Sequence, residues 1–474
     1  MKARLLLQMG TVAAMLVLAG PVSASTGGNA SSGCFVRDTL AGVTYGSLQV
    51  AVAAAVPNDT LLVSGKCVGS TTITTSLTLR GVRSRFGPAT LDGEGTGRVL
   101  HVNFFASARH GFTFTVDNLT ITHGFGEDGN GGGGLLVQGG TTVLRNSLVT
   151  GNSAGGLGGG GIHVGGGALT LINTIVSDNT AGDVGGGIDG GGDVRLVSST
   201  VRGNTATGIG GGLFGHGTLI IRNSTVSGNK AAQGGGIDVG TGSLTLKNAT
   251  VRQNSATHYG GGISVGLDGT ATVTNTTVSG NRALVGGGVA TRGHLTVRDS
   301  TVGGNVAAAN SGGIDNYVGT LSVLNSKVDG NTAAVSAGGI GNSSGTLTMT
   351  GSWVLGNVAG VNGGGILNGA SVVNLPPSTM TITDSKVSFN RAPHGGGIAN
   401  FGTLTFAGQF PTVGGNQATT GGGVLQLVSS PVAGSVTGGC PPTLGLGVPP
   451  STTTTGFVTY DPPNTPDDYA GFNC

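Results

Sequence analysis

The sequence predicts an all-β solenoid, a parallel β-helix, and three observations carry that expectation. Val, two further residues and Asn recur every 24–27 residues over most of the 474-residue chain, as in Val226–Asn229. Between successive copies lies a run of small residues ending Gly-Gly-apolar, as in Gly234–Ile237. After that run, apolar and polar residues alternate, as in Ser243–Lys247, and no segment beyond residue 60 keeps a helical period. A fixed period of this size marks a solenoid. Alternation with period two marks strands with one face turned inward.

The composition fits that architecture and excludes others. Gly is 98 of 474 residues without a three-residue period, which rules out collagen. Regularly placed Val, Leu and Ile separate the chain from disordered low-complexity segments. A net charge of +2 gives no electrostatic basis for binding nucleic acid or an anionic membrane.

The N-terminus reads as a signal peptide over 1–24: basic Lys2 and Arg4, an apolar run from Leu5 to Ala19, then Val22-Ser23-Ala24 as a cleavage site. No other segment is long and apolar enough to span a bilayer as a helix, so the mature chain is expected to lack a transmembrane segment. Residues 25–58 form an N-terminal segment in which Leu48–Val56 is expected to be a short capping helix. A cap is needed because an open solenoid end exposes strand edges.

Residues 59–430 are assigned to the β-helix, about 14 coils in all: irregular coils to residue 130, then eleven regular ones. Each coil is expected to hold three strands, such as Ile237–Val239, Leu244–Leu246 and Ala249–Val251. At about 4.8 Å per coil the rod would be roughly 65–70 Å long. The Gly triplet belongs at a bend, where φ is positive or a neighbouring coil excludes a Cβ. The recurring Asn is expected at another bend, in the left-handed region. There its amide can bond its counterpart in the next coil as an internal ladder. The Val of each repeat and the small residue two before it (Ser224, Ala249, Thr276) should point inward.

Residues 431–474 read as a Pro/Thr-rich irregular tail. Four cysteines allow three pairings, of which Cys34–Cys67 and Cys440–Cys474 are favoured because each would staple one end. Each closes a loop of about 30 residues, worth roughly 3–4 kcal/mol on the chain-entropy model.

Over residues 45–430 the chain resembles the right-handed parallel β-helix superfamily with the pectate-lyase-like fold. Its repeats are similar to the polymorphic outer-membrane-protein type, with Gly-Gly-Gly-Ile (Gly185–Ile188, Gly234–Ile237) for that family's G-G-A-[ILV] and V-x-x-N for its F-x-x-N. The resemblance implies a right-handed coil. Those proteins end in a membrane β-barrel of many amphipathic strands, which residues 430–474 cannot supply. The superfamily also contains pectate lyases and polygalacturonases. Of the polygalacturonase signatures only Gly215-His216-Gly217 is present, and Asp467-Asp468 lies in the tail.

Register supplies the candidate site. The residues following the repeat's apolar position form an outward column: His163, Asp189, Phe214, Asp238, Ser264, Ala290, Asp315, Gly341. His163, Asp189, His216 and Asp238 fall on neighbouring coils, with Asp189 and Asp238 as carboxylates and either His as proton shuttle. A solvated polar face is the competing account of the same residues. Trp353, the single Trp, sits in an outward column before the longest repeat and could stack on a sugar. That repeat, Asn357 to Asn390, carries Leu375-Pro376-Pro377, and such insertions often map to a binding face. T-x-T pairs at Thr270/Thr272, Thr346/Thr348, Thr379/Thr381 and Thr403/Thr405 line another face, though His294 interrupts it.

No metal site and no cofactor is expected: zinc spacings, a P-loop and a series of calcium-binding repeats are all missing from the sequence. The expected function is a secreted or surface-associated rod, a monomer without catalysis, in adhesion or in interaction with polysaccharide or another cell-surface component. The alternatives are a polysaccharide lyase or glycoside hydrolase with an atypical site, and ice or crystalline-surface binding by the Thr face.

Overall fold

Each repeat closes one coil of a right-handed parallel β-helix, and successive coils pair strand to strand in register. The computed structural model describes residues 33–84, 87–104, 111–126, 129–369 and 377–426, together with the backbone of two short strands, Val436–Thr437 and Tyr469–Ala470. The expected signal peptide, the remainder of the tail with Cys440 and Cys474, and Leu375-Pro376 lie outside the described residues. One sheet stacks 14 strands, one per coil, giving a rod of about 13 turns.

A regular coil contains four strands rather than the expected three. In the middle of the rod they are Ile237–Val239, Ser243–Lys247, Thr250–Arg252 and Ser255–Tyr259. The fourth strand hides in polar residues whose alternation is too short to see. In two early coils the first two strands fuse into single runs, Leu135–Arg145 and Ile162–Ile172. The inward faces are fully buried Ile, Leu and Val, including Ile237, Leu246, Val251 and Val278.

The buried Asn residues form a continuous ladder. Asn152, Asn179, Asn204, Asn229, Asn254, Asn281 and their successors to Asn416 are at most 1 % exposed. Each Nδ2 donates to the Oδ1 of the next Asn at 2.9–3.0 Å, from Asn152–Asn179 to Asn390–Asn416. The same Oδ1 accepts the preceding Asn's backbone N–H, as Asn254 does from Asn229, while Nδ2 also donates to a carbonyl of the coil before, as Asn229 does to Val201. The expectation that this Asn occupies the left-handed bend is corrected. In the stretch Asn223–Asn229 the two roles are divided: Asn223 takes φ 51 and Gly228 takes φ 66, leaving Asn229 free to turn inward.

The Gly triplet also divides its work. The first Gly is the left-handed one, with φ of 56–66 at Gly185, Gly210, Gly234, Gly260, Gly286, Gly363, Gly395 and Gly421. A Cβ on Gly235 would strike the Ser255 carbonyl of the next coil, and one on Gly236 would come within 2.9 Å of the Asn254 amide.

Two further polar stacks run down the interior. The expected inward small residues, Ser224, Ala249 and Thr276, are buried, and their column accepts backbone N–H bonds from the coil before, as Ser224 Oγ does from Ser199. The other stack begins late: Asn316, Asn342, Asn368, Asn400 and Gln426 take the position held by Val, Gly or Thr in earlier coils and link amide to amide at 2.6–2.8 Å.

At the N-terminal end, the helix Leu48–Ala54 buries Leu48, Ala51 and Val52, with the Ser47 hydroxyl accepting from the Val50 N–H. The strand Phe35–Asp38 runs antiparallel to Asp59–Ser64, and Cys34 is bonded to Cys67. At the other end, Val436–Thr437 and Tyr469–Ala470 pair onto the last coils at Leu404–Thr405 and Val424–Leu425. No described helix is long and apolar enough to cross a membrane.

Asn254→Ala is expected to destabilise the rod by about 3 kcal/mol, because it orphans two buried donors on Asn229 and removes a hydrogen bond from the Val226 carbonyl. Gly235→Val should cost several kcal/mol by the coil-to-coil collision. Denaturant unfolding and hydrogen exchange of the neighbouring ladder amides measure both, and unchanged midpoints would contradict this account of the ladder and triplet.

Candidate functional site

The fourth strand and the bend that follows it raise a ridge beside the first strand of each coil. Along the middle of the rod this makes a groove of about 550 Å³ parallel to the axis. Its floor is the column expected from register: Asp238, Ser264, Ala290, Asp315, Gly341 and Leu367. One wall is the residue before each Gly triplet, including Gln233, Tyr259, Asn310 and Asn362. The opposite wall is the residue after each first strand, including Arg292, Tyr317, Ser343 and Phe401.

The column is therefore aligned as expected, but it is not a solvated face. Asp189, Asp238 and Asp315 are only 6–7 % exposed. The reason is the fourth strand: the bend at the first Gly wraps over the column, so that a Cβ on Gly234 would sit 2.6 Å from the Asp238 Cβ.

The four residues singled out by register do not form one cluster. His163 Nδ1 and Asp189 Oδ2 bond at 2.7 Å, as neighbouring coils allow. Phe214 then fills the column between Asp189 and Asp238, itself 4 % exposed. His216 packs edge-on against Phe214, ring centroids 4.5 Å apart, and its Nδ1 faces the Thr241 hydroxyl at 3.4 Å. Of the four, Asp238 alone lines the groove.

Trp353 is 54 % exposed, as an outward residue should be, and it lies on the third-strand sheet between Lys327 and Lys386 rather than on the groove. The Thr columns are also in register, running Thr272, Thr296, Ser322, Thr348, Thr381 and Thr405.

Sequence reasoning missed Arg292, Tyr259, Tyr317, Ser311 and the importance of Asp315. The Arg292 guanidinium lies 5.3 Å from the centre of the Tyr259 ring, reaching from one wall to the other. The Ser311 hydroxyl donates to Asp315 Oδ1 at 2.6 Å. One signal was legible. Ser311-Gly-Gly and Ala337-Gly-Gly break the Gly triplet in adjacent repeats, and both residues keep the left-handed bend, with φ of 62 and 61. Strained non-Gly residues of this kind gather at functional sites.

Burial pushes two groove carboxyls up to about 6. At Asp238 a hydrogen bond from Ser264 partly opposes the effect. At Asp315 the Ser311 hydroxyl and the charge of Arg292 do so. Such groups can exchange protons near neutrality. A second depression of about 370 Å³ lies near the N-terminal end, around Lys66, Asp92, Glu94 and His123. Burial alone would raise the Asp92 carboxyl. The Glu94 N–H, Lys66 at 2.9 Å and His123 at 3.1 Å outweigh it and hold the group below its ordinary value. There the charges satisfy one another.

A family model described as a right handed beta helix region matches residues 102–278. Among solved structures, the A-module of the mannuronan C-5 epimerase AlgE6 of Azotobacter vinelandii is similar, with 12 % identity over 88 % of this chain and 95 % of that one, at a TM-score of 0.26. No curated protein matches the chain.

A rise from 3.8 to about 6 penalises each ionised carboxyl in the fold by about 3 kcal/mol. Because the folded group holds its proton more tightly, stability falls as pH rises between those values, and the full penalty stands above them. Asp238→Asn or Asp315→Asn should therefore raise stability by up to about 3 kcal/mol near pH 8 and leave it nearly unchanged near pH 4. Denaturant midpoints across pH would contradict the burial account if the gain were the same at both ends.

Proposed function

We propose that the protein is a secreted or cell-surface rod that binds an extended polysaccharide along its axial groove, in adhesion or envelope interaction rather than catalysis. The observation that carries this is the groove's construction from aligned columns. Amides of Gln233, Asn310 and Asn362 recur on one wall, and the rings of Tyr317 and Phe401 stand on the other. The three amides stand three and two coils apart, about 14 and 10 Å at strand spacing, so they can meet successive rings of an extended chain. Few convergent polar groups among aromatic and apolar surfaces are what a sugar-binding cleft requires. Export is supported by the features of residues 1–24 and by the Cys34–Cys67 bond. Trp353, on another face, offers a second contact to a surface-bound glycan.

The raised carboxyls favour a second reading, a polysaccharide lyase or hydrolase. In it Asp238 keeps its proposed catalytic role, while His163, Asp189 and His216 would act only from beyond Phe214. Asp238 and Asp315 stand three coils apart, about 14 Å by strand spacing. That exceeds the roughly 5–9.5 Å between the paired acids of glycosidases, so the two do not form such a pair.

Calorimetric titration with oligogalacturonate and xylo-oligosaccharide, followed by assays for reducing ends and unsaturated products, separates the readings. Binding without cleavage is expected, with Tyr317→Ala weakening it about tenfold. Cleavage would replace the binding reading with the enzymatic one. Failure to bind any acidic or neutral polysaccharide would remove both.

A further inference from the structure

At the centre of the groove two neighbouring positions, 311 and 341, depart from the repeat around a floor carboxyl of the kind the column also carries at Asp189 and Asp238. From Gly185 to Gly421 eight coils carry Gly at the left-handed position before the first strand, yet this coil carries Ser311 at φ 62 and the next carries Ala337 at φ 61. The floor of the same coil carries Asp315. The floor of the next coil carries Gly341, the register partner of Asp315. The departures depend on one another. A Cβ on residue 341 would collide with Ser311 Oγ and stand 3.3 Å from Asp315 Oδ1. The fold does not demand a carboxyl here, since the same column holds Ser264, Ala290 and Ala399 elsewhere.

Asp315 is nonetheless incompletely satisfied by the protein. One carboxyl oxygen accepts from Ser311, and no described residue bonds the other, which is not sealed from the groove. A buried carboxyl kept at a cost in stability, with one oxygen fixed and one open to a cavity, has the form of a ligand contact.

Resting on the glycan-binding reading, we infer that Asp315 is the specificity-determining contact of the groove. It accepts hydrogen bonds from the hydroxyls of one sugar ring seated in the space left by Gly341, and Ser311 is the positioning residue that holds the carboxyl. Asn310 and Tyr317 flank that space from the two walls of the same coil. Arg292 is the charged group facing Asp315. The other titratable groups lining the groove are Tyr259, Tyr317 and, three coils away, Asp238.

The test is titration of oligogalacturonate and xylo-oligosaccharide against wild type, Asp315→Asn and Ser311→Gly as a function of pH. The wild type should bind the neutral xylo-oligosaccharide more tightly as Asp315 ionises, with a midpoint near 6. Asp315→Asn should lose at least tenfold in affinity near neutral pH and flatten that component of the profile. Ser311→Gly should move the midpoint upward, because the hydroxyl bond that lowers the Asp315 value is gone. A merely structural Ser311 would leave the midpoint in place. Circular dichroism checks that both variants fold, which Asn and Gly at these positions favour. If the wild type binds and the variants match it across pH, Asp315 and Ser311 are not the contact and the groove reading survives. If the wild type binds neither oligosaccharide, the groove reading fails and takes this inference with it.

Discussion

The whole rod depends on one constraint: a buried amide must find both a donor and an acceptor along the axis. Each Asn of the ladder meets it only when the next coil places an identical Asn at the same height, 2.9–3.0 Å away. An unmatched amide in this interior would cost about as much as several good contacts provide. The ladder thereby fixes register more sharply than apolar packing alone, since Val and Ile columns tolerate small slips and a polar chain does not. Differences in repeat length are pushed into the bends. The 33-residue interval between Asn357 and Asn390 still closes the same bond, at 2.9 Å.

Fixed register is what makes a groove possible. Residues far apart in sequence become neighbours at strand spacing, so a column of single positions becomes a floor and two more become walls. Function can then be varied one position per coil without disturbing the core. Phe214 closes the column beside Asp238, whereas Ala290 and Gly341 leave it open further along. The second amide ladder begins at Asn316, within the same stretch, replacing the apolar contacts of Val239 and Val265 with hydrogen bonds below the floor. From Asn316 to Gln426 the interior is thus more polar than in the coils before it.

The column of His163, Asp189 and Asp238 was legible because register in a solenoid follows from counting. Its burial was not, because it depends on a fourth strand such as Lys230–Gln233, whose residues carry no alternation long enough to register as a strand. For the same reason Tyr259 and Arg292 could not be recognised as facing walls: they lie 33 residues apart and meet only through the bend between them. Ser311 was the exception, visible as a broken Gly triplet, although its bond to Asp315 was not.

By itself the sequence determined the solenoid, its period, the inward Val and Asn columns, the capping helix near Leu48 and the Cys34–Cys67 bond. Those follow from local rules repeated often enough to outweigh exceptions: alternation, glycine at forced bends and pairing of buried amides. Only the tertiary structure decided which outward residues are exposed and which share a cavity. Asp238 and Asp315 are buried because the bend before each first strand passes over their column, while Asp193, on the next strand of its coil, stays exposed, and that path is set by coil-to-coil packing.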